Sequence, residues 1–120
     1  MQLRPENLEY YVARARDILM DVARGKRREN FIEYKQLMDE MGGPGRGFIG
    51  EVLEEVCREE YEKGHPLLSA IVIHKTDRSP GDGFWHLGVL PEKVKNSTDI
   101  EKRAFWINEC GKVWEFWKYH

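Results

Sequence analysis

The feature that most limits what this chain can fold into is the break at residues 42–45, Gly-Gly-Pro-Gly, between two stretches of helical periodicity. Glycine reaches positive φ without penalty, and a proline drives the residue before it out of the helical region, so no helix continues through this tetrad. Before it, Leu37, Met38 and Met41 mark the inward side of a short helix over Tyr34 to Met41. After it, Arg46 and Gly47 lead into a longer helix, with Phe48, Ile49, Val52, Leu53, Val56, Cys57 and Tyr61 as its apolar face and Gly64 at its end. Two helices joined by a tight elbow, followed by an apolar run, form the order of a winged helix-turn-helix.

The rest of the chain fits around this unit. Pro5 suits the first turn of a helix, where its missing N–H is not needed. Leu8, Tyr11, Val12, Ala15, Ile18, Leu19 and Val22 keep helical spacing, and Gly25 supplies a stop. Asn30 caps the next helix, or Phe31 and Ile32 form a short extended entry. Leu67 to Ile73 is almost wholly apolar and β-branched at its end, which predicts a buried strand. Residues 75–83 are a turn or wing, and Phe84 to Val89 is a return strand or a short helix. A polar connection over 91–98 precedes a last helix capped by Thr98 or Asp99. Its expected inner face is Ile100, Ala104, Ile107, Cys110, Trp114 and Trp117. Trp106, Phe116 and Tyr119 extend that face or lie outside it. The expectation is a single α+β domain over 1–120, mostly helical and winged helix-turn-helix-like, with a small β element and a long C-terminal helix. Its parts are an N-terminal helix in 1–28, the helix-turn-helix with strand and wing in 31–90, and the C-terminal helix in 98–118.

Composition narrows the function classes. Hydrophobic residues are 41% and charged residues 33% of the chain, the balance of a globular protein. No apolar run approaches the roughly 20 residues of a membrane helix, and the first residues lack the apolar core of a secretory signal. Cys57 and Cys110 do not make a disulfide framework. The expectation is a reduced, cytoplasmic protein with no membrane contact. The net charge of −2 does not suggest a general nucleic-acid binder, but charge is unevenly spread. Residues 1–28 carry seven basic and four acidic side chains, and residues 51–63 six acidic and two basic. The one dense basic cluster, Arg24 to Arg28, is a solvated helix end or a phosphate contact.

No reaction is named by any motif. The histidines His65, His74, His86 and His120 lack zinc-ligand spacing, so no metal or cofactor is expected. The glycine-rich stretch 42–50 lacks the lysine and hydroxyl residue of a phosphate loop. Its N–H groups at a helix start can still face a DNA phosphate. Cys57 reads as a small buried hydrophobe, with nothing beside it to make a thiolate.

Tyr34 to Leu53 resembles the DNA-binding segment of the alkylguanine-DNA alkyltransferases and alkyltransferase-like proteins. That segment runs Tyr, a short helix, Gly-x-Pro, then a small-Arg-small-Val-Gly helix start. The later apolar run, glycine-rich loop and last helix with Lys102-Arg103 follow the same order, so the resemblance covers roughly residues 31–118. It implies that Tyr34 contacts a target nucleotide. Arg46 stands one position before the family's arginine finger, and Gly47 occupies the aligned place. At the family's active-site sequence, Pro-Cys-His-Arg or Pro-Trp-His-Arg, this chain has Leu68-Ser69-Ala70-Ile71. An alkyl acceptor needs a thiolate there, so alkyl transfer is rejected and only the scaffold is kept.

The reading is therefore a non-enzymatic module binding double-stranded DNA through the elbow and the following helix, with Tyr34, Lys35, Arg46, Gly47, Lys75 and Arg78 as its contacts. Glu51, Glu54 and Glu55 on that helix oppose it unless they face away from phosphates. The alternative is a regulatory, phage- or defence-related protein-interaction domain using the aromatic end Trp106, Trp114, Phe116, Trp117 and Tyr119. A third reading is an enzyme in which His74, Asp77 and His86 meet Glu59 or Glu60.

Overall fold

The computed structural model describes residues 5–43 and 46–120, with Pro5, Glu6 and Arg46 described as backbone only. Pro44 and Gly45, the centre of the expected elbow, lie outside the described residues. Helix α1 spans Pro5–Ala23, strand β1 Ile32–Glu33, helix α2 Tyr34–Met41 and helix α3 Arg46–Glu62. A 3-10 turn over Leu68–Ile71 leads into strand β2, Val72–Ile73. Short helices α4, Asp82–Trp85, and α5, Glu92–Lys95, precede the long α6, Asp99–Lys118.

The stops are where glycine permits them. Gly25 and Gly64 follow their helices at φ +77° and +76°, in the left-handed region that L side chains resist. At the end of α2, Gly42 and Gly43 both have positive φ, and their N–H groups donate to Asp39 O and Met38 O. Arg14 on α1 donates to Met41 O and Glu40 O, covering further carbonyls that α2 leaves unpaired and fixing α1 against it. Helix α6 opens with a reciprocal cap: Thr98 Oγ1 accepts from Glu101 N–H, and Glu101 accepts from Thr98 N–H.

The centre of the molecule is the apolar run expected to be a strand. Only Val72 and Ile73 are extended, pairing in parallel with Ile32 and Glu33; Leu68–Ile71 is coiled instead. The reason is burial from every side. This turn is packed against α1, α3 and α6, and Leu68, Ala70 and Ile71 have no exposed surface. No neighbouring strand can satisfy its peptides, so side chains do so. Trp106 Nε1–H donates to Ala70 O at 2.7 Å, and the buried Glu109 accepts from Leu67 N–H at 2.8 Å. Ser69 lies 3.0 Å from Cys57 Sγ, also buried.

Two apolar faces differ from the expected ones. In α3 the buried position after Val56 and Cys57 is Glu60, 1% exposed, while Tyr61 turns outward. Glu60 turns in because Arg16 of α1 and His65 approach its carboxylate. In α6 the buried stripe is Trp106, Glu109, Cys110, Val113 and Trp117. Ile100, at 83% exposure, and Ile107, at 54%, face out, with Ala104 exposed beside them. The bonds from Trp106 to Ala70 O and from Leu67 N–H to Glu109 go with this rotation. Of the two readings of residues 84–89, the short helix is met in part, as α4 over Asp82–Trp85, and the return strand is not. Phe84, Leu87 and Leu90 are buried at intervals of three, a spacing of turns rather than of a pleat. Among the described residues no antiparallel hairpin follows β2.

Candidate nucleic-acid interface

The parallel register determines where the candidate residues meet. Glu33 pairs with Ile73, so the next residue on each segment, Tyr34 and His74, come side by side with ring centroids 4.8 Å apart. The chain then closes a turn on itself. His74 N–H donates to Ser79 O and Arg78 N–H to His74 O, each at 2.9 Å. Asp77 accepts from Ser79 N–H, and the hydrogen bonds from Ser79 hold its carboxyl below the usual carboxylate range. Arg78 sits at φ 50°, the one non-glycine residue with positive φ among those described. The return to Gly81 brings its N–H to 3.2 Å from Tyr34 Oη, which accepts it. Burial raises the Tyr34 phenol above its ordinary value, and the Gly81 N–H acts in the opposite direction.

Between these parts and the first turns of α3 lies a cleft of about 860 Å³. Tyr34, Lys35 and Met38 form one wall, Ile49, Gly50 and Leu53 of α3 another, and His74 to Asp77 with Gly81 and Asp82 a third. Of the sequence-derived contacts, Tyr34, Lys35 and Lys75 share this cleft. Gly47 is exposed in the first turn of α3, and Arg78 is exposed on the turn, neither lining the cleft. The side chain of Arg46 is outside the described residues.

The acidic residues of α3 are largely engaged elsewhere. Glu54 accepts from Gly88 N–H at 3.0 Å, and Glu55 pairs with Arg58, which holds its carboxyl below the usual range. Glu51 is exposed and does not line the cleft. Glu33, Asp77 and Asp82 do line it, so the cleft is of mixed charge, with Lys35 and Lys75 exposed at its walls.

The other sequence candidates separate. The basic cluster is mostly spent inside the molecule. Arg27 forms a two-pronged bond to Glu40, at 2.7 and 2.6 Å, and Arg24 donates to His120 O while lying over the Trp117 ring. His74 and Asp77 share the cleft, but His86 faces Asp82 O and Glu60 pairs with His65 at 2.8 Å, so the full set considered for an enzyme does not come together. Among the described residues no group of three His, Cys, Asp or Glu can hold a metal ion. The aromatic end is largely internal: Trp106 and Trp117 are buried, and Trp114 Nε1–H donates to Asn30 O. Cys57 and Cys110 are buried thiols, pushed up to about 11 and about 12 chiefly by desolvation. No described helix is long and apolar enough to cross a membrane.

Sequence reasoning missed the part played by residues 81–82. Pro80-Gly81-Asp82-Gly83 reads only as a turn, and the hydrogen bond from Gly81 N–H to Tyr34 joins residues 47 positions apart. No protein-family model, curated protein or solved structure matches this chain.

Proposed function

We propose that this chain is a non-enzymatic DNA-binding module of winged helix-turn-helix type, in which the cleft between α2, α3 and residues 74–82 receives the sugar-phosphate backbone. The observation that carries the reading is the meeting of Tyr34, Lys35 and Lys75 on one cleft whose far wall is the glycine-bearing start of α3. Two lysines from segments forty positions apart supply cations for neighbouring phosphates. Gly47 and Gly50 leave that start of α3 free of bulk, so a backbone can approach the helix N-terminus, where unpaired N–H groups and the dipole favour an anion. The engagement of Glu54 and Glu55 away from the cleft removes much of the repulsion that α3 would otherwise present. The helix–strand–helix–elbow–helix–strand order agrees with the scaffold, with a turn and α4 standing where a wing hairpin would return.

The test is fluorescence-anisotropy titration of labelled duplex and single-stranded DNA over a range of salt. Duplex binding is expected, weakening with salt. Lys35→Glu with Lys75→Glu should abolish it near physiological salt and reduce the slope of log K against log salt by about 2. No binding at low salt, or binding indifferent to both substitutions, overturns the reading.

A further inference from the structure

We infer that the outward face of α6 is the contact surface for a second copy of this chain, in an antiparallel two-fold pair. This face lies apart from the residues that line the cleft. Helix α6 is apolar on two sides. Trp106, Cys110, Val113 and Trp117 face the core, while Ile100, Ala104, Ile107 and Gly111 follow one another at intervals of four, three and four along the exposed side. At 3.6 residues per turn these four fall within about 60° of one another, as a single stripe. A contiguous exposed apolar stripe of this kind marks an interaction surface, and among the described residues the core-facing stripe is the one the chain buries. Gly111 points the same way. A Cβ there would meet nothing within 4 Å, so nothing inside the fold requires glycine in mid-helix, where it costs about 1 kcal/mol relative to alanine.

The stripe complements itself. A two-fold pair centred on Ile107 places Ile107 against its own copy once, on the axis, and Ala104 against Gly111 of the partner twice. Those small residues let the two helices approach closely while the isoleucines fill the space on either side. Ile100 falls near the half-buried Trp114 at the other end. On the flank, Glu101 of each chain comes opposite Lys112 of the other, both exposed, and the antiparallel arrangement opposes the two helix dipoles. A parallel arrangement would instead stack Ala104 on Ala104 and Gly111 on Gly111, leaving the small residues without bulky neighbours to fill them and the dipoles aligned. An isologous contact of this kind is self-limiting, because each patch is used once.

Sedimentation velocity over a range of concentrations tests the pairing. A monomer–dimer equilibrium is expected, and Ile107→Lys should raise the dimer dissociation constant at least about tenfold with an unchanged far-ultraviolet circular dichroism spectrum, since Ile107 is already exposed. Glu101→Lys and Lys112→Glu should each weaken the dimer, and the two together should restore it, which a mere loss of the Thr98 cap would not do. Cross-linking fixes the direction. Ile107→Cys chains should join under mild oxidation. Ala104→Cys chains should join Gly111→Cys chains and not one another. A monomer at every concentration, a dimer indifferent to Ile107→Lys, or Ala104→Cys chains joining each other overturns the inference.

Discussion

Replacing Gly81 by alanine puts a methyl group into the junction that holds the cleft together. The added Cβ would lie 2.7 Å from His74 Nε2 and 3.1 Å from Tyr34 Oη, the first inside any ordinary contact distance. The backbone is not the obstacle, because Gly81 has φ −75° and ψ 171°, which alanine adopts freely. In open space this substitution would stabilise by about 0.4–1 kcal/mol through the unfolded chain. Against that stands the contact. Were both rings locked, overpacking would cost about 1–3 kcal/mol. His74 is exposed, so its ring can swing outward, and the loss reduces to its packing on Tyr34, about 0.5–1.5 kcal/mol for an aromatic pair. The two effects nearly cancel, and urea unfolding should show a net destabilisation below about 1 kcal/mol. The site should change much more than the stability does. In the proton–carbon NMR spectrum, the His74 ring signals should lose the ring-current shift imposed by Tyr34, and under the proposed function DNA affinity should fall as the cleft wall opens. A loss of 3 kcal/mol or more would mean that His74 cannot move. Unshifted His74 signals would mean that Gly81 does not border the ring, and either result refutes the account of this wall.

Two further outcomes follow from charges and thiols elsewhere. Arg27 holds Glu40 below its ordinary value of 4.5, chiefly through their hydrogen bond. A depressed carboxylate contributes stability above that value and loses it as pH falls through the folded one. Both side chains are about 30% exposed, so Arg27→Gln should cost only about 0.5–1 kcal/mol near neutrality at low salt, with the difference from the parent vanishing on acidification; a difference that persists in acid excludes the pairing as its source. Cys57 and Cys110, pushed up to about 11 and about 12, should react with a disulfide reagent at mildly alkaline pH only after unfolding, and prompt reaction of the native protein would contradict their burial.

Much of the framework is legible in the residues because its signals are local. Gly25, Gly42 and Gly64 stop helices where a left-handed residue is needed, and Tyr34 to Met41 has the extent that Leu37 and Met41 imply. What is not legible depends on partners far away in sequence. Leu67 to Ile73 has the composition of a strand, but a strand needs a neighbour, and β1 offers two residues. Trp106 and Glu109 replace the missing ladder, and no periodicity announces a backbone bond across 36 positions. In the orientation of α6 that goes with this bond, Ile100 and Ile107, the residues that look most like core, face outward. The candidate site divides along the same line: Lys35 and Lys75 are visible as cations in a turn and a helix start, whereas their sharing of a cleft follows only from the register of β1 on β2.

Both surfaces of the molecule are tied to the 3-10 turn and the strand that follows it. The 3-10 turn is filled on all sides by apolar groups, and its peptides are closed by α6. Tyr34 and His74 are therefore held at the end of a two-residue ladder anchored directly in the core, not on a free hairpin. A wing on a hairpin can bend toward DNA independently of the helices, whereas here residues 74–79 leave a buried strand and close through their own hydrogen bonds before α4 begins. Two walls of the cleft are accordingly tied to the core through β1 and β2, and Lys35, Lys75 and His74 are exposed at them. The commitment of Trp106 that anchors this ladder is also what leaves an apolar stripe on the far side of α6. Covering that stripe inside the chain would require turning α6, which would withdraw the donor from Ala70 O. A second molecule covers it without that loss.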